Sequence, residues 1–256
     1  LHRPALLGVR RRSPHADRAG RTLRLALCAL RRGPAARRLH IHVGLLRIAI
    51  PKGRLQSDVL ATFAAAGYDV PSETDLRTRK LVFHRAGIEW IFVKDCDVPV
   101  YVEHGAADAG VAGFDQILEH DCGAYQAVEL PYGRCRMMLI GAPTAPRLSD
   151  RARIATKYPH ITRNYLDERG LRAEIVPLGG SVELAAVLGL TSHVIDLVET
   201  GETVRVHRLV LQDLVAEITP RLIVAKNFYR TSNQRVRELI ARIEEARNVM
   251  DSSSIA

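Results

Sequence analysis

"RIATKYPHITRNYLDERGLRAEIVPLGGSVELAAVLGLTSHVIDLV", residues 153–198, decides the fold class. Three short apolar segments alternate in it with two helical ones: the strands are RIAT, AEIVPL and HVIDLV, and the helices are PHITRNYLDERG and SVELAAVLG. Strands that alternate with helices predict an α/β fold with mostly parallel sheets. The last strand is rich in β-branched and aliphatic residues, which indicates that it is covered on both faces.

A similar alternation begins at the strand LRIAI, residues 46–50, and the two runs are separated by a proline-rich segment, APTAPRLSD, residues 142–150. This segment predicts a crossing between two lobes. Ligands of such folds bind at the carboxyl ends of the strands. The sequence therefore predicts a ligand cleft between the lobes.

The positive charge of the chain lies in its first residues. Residues 1–46 contain eleven arginines and a single acid, whereas the remainder contains 26 lysines and arginines and 27 acids. This near-neutral body argues against a nucleic-acid-binding surface on the folded part. The basic N-terminal extension, residues 1–45, has three interpretations: an arginine-rich targeting segment, a basic arm for nucleic acid or anionic lipid, or translated upstream sequence without a structural role. We favour the third, in which the extension is disordered or not native.

No apolar run approaches the roughly 20 residues that span a bilayer, so we predict a soluble protein without a membrane partner. The cysteines include no C-x-x-C pair; they are Cys28, Cys96, Cys122 and Cys135. Buried free thiols in a reducing compartment, here the cytoplasm, are the expected state.

Basic residues flank two predicted strands near the start of the body. Lys52, Gly53 and Arg54 follow the strand LRIAI directly. Glycine lets the backbone approach a ligand closely, while lysine and arginine donate hydrogen bonds to phosphate. A second basic loop, RTRK at residues 77–80, contains Arg79 and is suited to close over an anionic substrate. Each loop taken alone is equally explained as a solvated surface turn.

A glycine pair in PLGGSVELA, residues 177–185, precedes a predicted helix. Gly179 and Gly180 before a helix that Ser181 caps have the layout of a phosphate or pyrophosphate site. The alternative is an ordinary glycine-rich turn between a strand and a helix.

Two carboxylates stand near the end of a buried strand in VIDLVETGET, residues 194–203. Asp196 and Glu199 are costly there unless they pair, reach water or meet a ligand. The Thr-Gly-x-Thr turn that follows offers backbone N–H groups and two hydroxyls, which suits it to hold an anion. A strand end with a solvated turn is the alternative.

In combination, these motifs resemble the ATP phosphoribosyltransferase family. The matching segments run in family order over residues 46–226: LRIAIPKGRL, DVPVYVEHGAADAGVAG, RIATKYPHITRNYLDERG, GSVELA, GLTSHVIDLVETGETVR and PRLIV. The body resembles the short form, which lacks the C-terminal regulatory domain of the long form. The resemblance implies a two-lobed fold like that of type II periplasmic binding proteins. Lobe I is then residues 46–140 and 221–256, and lobe II, with the phosphoribosyl-binding turn, is residues 141–220.

The activity that the resemblance implies is the first step of histidine biosynthesis. A 5-phosphoribosyl group passes from phosphoribosyl pyrophosphate to N1 of ATP, giving phosphoribosyl-ATP and pyrophosphate, with Mg²⁺ as cofactor. The implied assembly is a homodimer within a hetero-oligomer that includes a regulatory subunit resembling a histidyl-tRNA synthetase. The alternative is a non-catalytic small-molecule binding protein on the same fold, since a fold does not determine a function.

The resemblance also implies roles for the residues of the four clusters. Arg54 and Arg79, assisted by Lys52, are expected to act on the charge of the leaving pyrophosphate. The expected substrate-binding residues are Gly53, Gly180, Ser181, Val182, Glu183, Asp196, Glu199, Thr200, Gly201, Glu202 and Thr203. Asp196 and Glu199 are also the expected ligands of a Mg²⁺ ion that the substrate carries.

Overall fold

The computed structural model describes residues 44–253, which contain two β-sheets. Six strands form the first sheet: β1 (Leu46–Lys52), β2 (Val82–Arg85), β3 (Ile88–Lys94), β4 (Ala109–Gly113), β5 (Tyr125–Glu129) and β11 (Pro220–Val224). Five form the second: β6 (Cys135–Gly141), β7 (Arg153–Thr156), β8 (Glu174–Pro177), β9 (His193–Val198) and β10 (Val210–Ile218). The strand orders are β2-β3-β1-β4-β11-β5 and β10-β6-β9-β7-β8.

Helices connect the strands, as the alternation in the sequence predicts. They are α1 (Gln56–Ala65), α2 (Glu73–Leu76), α3 (Val98–Glu103), α4 (Phe114–Glu119), α5 (Pro159–Glu168), α6 (Glu183–Val187), α7 (Glu202–Val206), α8 (Lys226–Thr231) and α9 (Asn233–Ser253). Within residues 44–253, none of the helices combines the length and apolar character that a membrane span requires.

Both sheets are mixed, so the expectation of mostly parallel sheets is wrong. Strand β1 runs parallel to β3 and β4, and β7 runs parallel to β8 and β9. The remaining pairs are antiparallel. Some of the antiparallel pairs arise where the chain crosses from one sheet to the other. Strands β6 and β11 are the first strands after each crossing, and each runs opposite to its neighbours.

The strand pairing places the lobe boundary earlier in the chain than predicted. The chain passes to the second sheet through residues 130–134 and returns at Thr219. Residues 135–140, assigned to lobe I from the sequence, belong to β6 and pair with β9 and β10 of the second sheet. The proline-rich segment at residues 142–150 connects β6 to β7 inside the second lobe and is not the crossing.

Apolar side chains cover the second sheet on both faces, because successive residues of a strand point to opposite sides. Met137 and Leu139 lie in the cluster that α5 covers, while Met138 and Ile140 lie in the cluster that α6 and α7 cover. The first sheet has one large core that also includes buried residues of α9. Each lobe therefore has its own hydrophobic core, and the packing of that core holds the ends of its strands in place.

The N-terminal extension cannot be compared with its prediction, because residues 1–43, which include Cys28, lie outside the described residues. The three described cysteines are free thiols, and Cys122 and Cys135 are buried as predicted, whereas Cys96 is only partly buried.

Candidate active site

A cavity of about 300 Å³ lies where strand ends of the two sheets face each other. Its walls come from residues at or just after the ends of β1, β4, β7 and β9. This is the predicted location, at strand ends and between the lobes. Of the predicted site residues, Lys52, Arg54 and Glu199 line the cavity.

An ion pair between residues of the two lobes spans the cavity. Nη1 of Arg54, which follows β1, donates to Oε2 of Glu199, which follows β9, at 2.6 Å. Partial burial lowers the pKa of the Arg54 guanidinium, but the charge of Glu199 and a contact with the Cys135 thiol outweigh this effect, and the pKa is raised. Arg54 therefore stays cationic inside the cavity. The structure brings together two residues that the sequence motifs place in separate clusters.

The loop between β1 and α1 keeps the backbone open towards the cavity. Gly53 has φ +110°, a conformation that side-chain-bearing residues rarely adopt, and no heavy atom would lie within 4 Å of an added Cβ. Glycine is thus required here for its backbone conformation. Lys52 and Arg54 on either side of it both line the cavity, which fits the predicted phosphate-binding role of this loop.

Lys157 and Tyr158 line the cavity but are absent from the predicted site. They directly follow β7, and Lys52 is likewise at the end of β1, so a position at a strand end is the available signal. Burial raises the pKa of the Tyr158 hydroxyl, and the charges of Asp115 and Asp196 raise it further. Tyr158 therefore stays neutral and able to donate a hydrogen bond.

Asp115 and Gln116, in the first turn of α4, are buried polar residues that also line the cavity. Nε2 of Gln116 donates to Oδ2 of Asp115 at 2.6 Å. The sequence signal was an acid and an amide directly after the buried strand β4. Buried polar groups of this kind are costly unless they are paired or serve a ligand.

Asp196 lies on β9 among charged neighbours. Burial raises the pKa of its carboxyl, the charge of Glu183 raises it further, and Lys157 together with a hydrogen bond from the Leu197 backbone N–H lowers it. That hydrogen bond is 2.8 Å long. Asp196 and Glu183, which the sequence predicts in separate clusters, therefore lie near enough for their charges to interact, with Lys157 as a nearby cation.

The turn after β9 is solvent-exposed around Gly201. Gly201 has φ +77° and precedes the short helix α7. An added Cβ would meet Val198 at 3.9 Å, so the glycine is required for its left-handed backbone and not for space within the protein. The Thr200 hydroxyl accepts a hydrogen bond from the Glu202 backbone N–H at 3.3 Å, and Glu202 pairs with Arg205 at 2.6 Å. Thr203 is exposed.

The glycine pair before α6 has open space around it, but the predicted serine cap is wrong. Ser181 has a left-handed φ of +47°, and the residue that precedes the helix is Val182, which makes no side-chain cap. The Val182 side chain is buried in the core of the second lobe, so only its backbone is available to a ligand. No heavy atom would lie within 4 Å of a Cβ at Gly180.

Arg79 is not brought to the cavity. It lies in an exposed loop between α2 and β2 and is not among the residues that line the site. The structure thus separates the two arginines that the resemblance pairs, and the role of Arg79 stays a prediction.

The chain has relatives among known proteins. A family model described as ATP phosphoribosyltransferase matches residues 94–245. ATP phosphoribosyltransferase 2 of Geobacter sulfurreducens is 40% identical over 208 residues, which cover 78% of this chain and 97% of the relative. Near-complete coverage of that relative agrees with the predicted short form of the family.

Solved structures give the same picture of the fold. The ATP phosphoribosyl transferase (HisG:HisZ) complex from Thermotoga maritima matches with a TM-score of 0.72 and 32% identity, over 80% of this chain and 99% of the matched chain. The periplasmic aliphatic sulphonate binding protein SsuA from Escherichia coli matches with a TM-score of 0.52 and 15% identity, over 82% of this chain and 75% of the other. The second match concerns the fold alone, and it confirms the two-lobed arrangement expected from the sequence.

Proposed function

The chain belongs to the ATP phosphoribosyltransferase family, and we propose that it transfers the 5-phosphoribosyl group of phosphoribosyl pyrophosphate to N1 of ATP in the cavity between its lobes. The products are phosphoribosyl-ATP and pyrophosphate, and the reaction is the first step of histidine biosynthesis. The observation that carries this proposal is the contact of Arg54 with Glu199 across the cavity, beside Lys52 and Lys157. Three cationic side chains at strand ends suit a substrate with several phosphate groups.

The Arg54–Glu199 pair supports an exchange of partners when the substrate binds. Pyrophosphate oxygens compete with the Glu199 carboxylate for the guanidinium, because arginine donates two parallel hydrogen bonds to phosphate. Arg54 is then placed to stabilise the charge that develops on the leaving group. The released Glu199 carboxylate accepts from ribose hydroxyls. Lys52 assists Arg54 from the same loop.

The ribose 5-phosphate is assigned to the turn of residues 200–203. Gly201 gives this turn a left-handed residue, and Thr200 and Thr203 add hydroxyls beside the backbone N–H groups. We assign Gly180 and Ser181, in the loop before α6, and Glu183, the first residue of α6, to the pyrophosphate and the ribose. Asp196 on β9 is half-buried, and we assign its carboxylate to accept a hydrogen bond from a ribose hydroxyl.

Magnesium fits this site as an ion carried by the substrate. In the described part of the chain, no three His, Cys, Asp or Glu side chains come together to hold a metal. Asp196 and its neighbour Glu183 nonetheless concentrate negative charge that a cation would stabilise. Magnesium in such sites takes one or two carboxylates together with substrate phosphates, and it neutralises leaving-group charge. Asp196 is the first protein ligand that we assign, and Glu199 is the second.

We infer a partner subunit from the relative of known structure. The Thermotoga maritima protein was solved as a HisG:HisZ complex. The corresponding assembly for this chain is a homodimer that binds a regulatory subunit resembling a histidyl-tRNA synthetase. A soluble biosynthetic enzyme of this kind works in the cytoplasm.

The decisive experiment measures pyrophosphate release from ATP and phosphoribosyl pyrophosphate, with and without the partner subunit. We expect release only when both substrates and Mg²⁺ are present, and a large loss of release in Arg54→Ala. If the assembled wild-type protein binds phosphoribosyl pyrophosphate but releases no pyrophosphate, the small-molecule binding alternative holds instead.

A further inference from the structure

Helix α5 of the second lobe begins without a cap of its own. A helix leaves its first N–H groups without intrahelical acceptors, and a side chain just before the helix usually accepts one of them. The residue in that position is Tyr158, which makes no side-chain cap. Pro159 has no N–H, and the Thr162 N–H donates to the Tyr158 carbonyl at 3.0 Å. The first-turn donors that remain are the N–H groups of His160 and Ile161.

Glu119 of the first lobe accepts both of these donors. It is the last residue of α4, and its carboxylate oxygens lie 3.0 and 3.1 Å from the His160 nitrogen and 3.1 Å from the Ile161 nitrogen. A carboxylate is the favoured partner at a helix N-terminus, because it satisfies the free donors and interacts with the positive end of the helix dipole. We propose that Glu119 is a positioning residue that caps α5 across the lobe boundary and thereby holds Lys157 and Tyr158 in the cavity.

Helix α4 is built to act as this link. Asp115 and Glu119 are four residues apart and therefore lie on the same face of the helix. Asp115 lines the cavity together with Tyr158, and Glu119 caps the helix that follows Tyr158. One face of α4 thus lies against the segment between β7 and α5 at two points: Asp115 lies beside Tyr158, and Glu119 accepts from the first turn of α5.

The contact of Glu119 with α5 also links the two lobes without a covalent connection. Residues 130–134 and Thr219 are the two covalent crossings. Phe114 at the start of α4 donates its N–H to the Thr219 carbonyl at 3.0 Å, and Phe114 and Leu118 pack against the core that includes β6 and α5. Glu119 adds a polar link farther along the same helix. These contacts therefore connect the two lobes on the side of α4, in addition to the Arg54–Glu199 ion pair.

The role of Tyr158 explains why the cap comes from the other lobe. A serine or aspartate at position 158 would cap α5 locally, but it would not fill the cavity wall as the buried tyrosine does. The sequence retains the tyrosine, and the cap is supplied by α4. This inference rests on the proposed function, because it assumes that Lys157 and Tyr158 contact the substrates.

Amide hydrogen exchange tests the contact without any assay of activity. In Glu119→Ala, we expect exchange at His160 and Ile161 to be at least about tenfold faster than in the wild type, since these N–H groups have no acceptor within the helix. Glu103→Ala is the matched control: its carboxylate accepts the Gly123 N–H at 3.0 Å, but both residues lie in the first lobe. The control should speed exchange at Gly123 and leave His160 and Ile161 unchanged. Unchanged exchange at both amides in Glu119→Ala would overturn the proposed cap.

Steady-state kinetics of the full chain with its partner subunit test the positioning role. We expect Glu119→Ala to lower kcat at least about tenfold after correction for the fraction of folded protein. Glu119→Gln, which keeps one acceptor oxygen, should recover part of the lost kcat. A kcat within twofold of wild type in Glu119→Ala, or a loss that only follows the folded fraction, contradicts the positioning role. If wild-type protein itself releases no pyrophosphate, the proposed function fails, and the exchange data still decide whether Glu119 caps α5.

Discussion

Arg54 and Glu199 are 145 residues apart in the chain, yet their side chains meet at 2.6 Å across the cavity between the lobes. Each side chain is about half exposed, at 51% and 55%. An exposed ion pair of this kind contributes only about 0–1 kcal/mol to stability. We therefore expect the pair to matter for substrate binding rather than for stability.

Replacement of Arg54 should impair turnover more than substrate binding. We expect Arg54→Ala to lower kcat by about 10²–10³, because a lost charge-assisted contact to developing charge costs about 2.7–4 kcal/mol of transition-state stabilisation. Arg54→Lys should recover little of this, since lysine lacks the planar pair of donors. Pyrophosphate release at saturating substrates gives the measurement, and a near-wild-type kcat in Arg54→Ala rules out the assigned role. The same assay on Arg79→Ala tests the role that the sequence predicts for the exposed arginine.

Glu199→Gln separates folding from function at the other end of the pair. The variant keeps the shape of the side chain and removes its charge. We expect the free energy of unfolding to change by less than about 1 kcal/mol, while kcat falls clearly, because the carboxylate no longer accepts from the ribose hydroxyls. Chemical denaturation and pyrophosphate release on the same preparation provide the comparison. A variant that turns over normally would show that Glu199 only neutralises Arg54.

The sequence predicts the strand ends of the site better than it predicts the division of the chain into lobes. Lys52, Arg54 and Glu199 line the cavity as the sequence predicts, because charged side chains at the ends of several apolar strands favour a common ligand even though each motif alone fits a solvated turn. The lobe boundary was placed wrongly because prolines at residues 142–150 indicate a break in secondary structure but not which sheet the next strand joins. Only the pairing of β6 with β9 and β10 decides that question.

Side-chain contacts between distant segments account for the rest of what the sequence could not show. Strand β10 is absent from the predicted elements because its residues are mostly exposed or half-buried, and its ladder with β6 is interrupted by bulges. In the sequence alone, nothing distinguishes Glu119 from any other acidic residue at the end of a helix. Its role becomes visible only when α4 and the start of α5, about 40 residues later in the chain, are seen together.

Asp196 and Asp213 should respond to neutralisation with opposite signs. Burial raises the pKa of Asp196 in the folded protein, so its ionisation opposes folding above that pKa. The Tyr165 hydroxyl and the Arg169 guanidinium lower the pKa of Asp213, so its ionisation favours folding above the unfolded-state value. At pH 7 we therefore expect Asp196→Asn to raise the melting temperature and Asp213→Asn to lower it.

The pH dependence of these two variants provides the control. Because its pKa is raised, wild-type Asp196 takes up a proton at a higher pH than an ordinary aspartate does, so the advantage of Asp196→Asn should shrink as the pH is lowered from 7 to about 4.5. Asp213 stays ionised over this range, so the loss in Asp213→Asn should persist. Asp196→Asn should also lose most of its turnover, as expected when a group that burdens stability serves a function. Melting curves at the two pH values decide between this account and one in which Asp196 is structurally neutral.

Gly201→Val tests whether the turn after β9 holds the ribose 5-phosphate, and Gly170→Val is its matched control. Both glycines have left-handed backbones, with φ +77° and +66°, so a side chain at either position causes similar strain of about 1–2 kcal/mol or more. Neither added Cβ would clash within the protein: its nearest heavy atom at Gly201 lies 3.9 Å away, and there is none within 4 Å at Gly170. The two variants should therefore show similar falls in melting temperature. Calorimetric titration with phosphoribosyl pyrophosphate and Mg²⁺ should then show binding lost in Gly201→Val and retained in Gly170→Val, because only the first side chain enters the space of the phosphate. Equal affinities in the two variants would mean that residues 200–203 form a solvated turn and that the phosphate binds elsewhere.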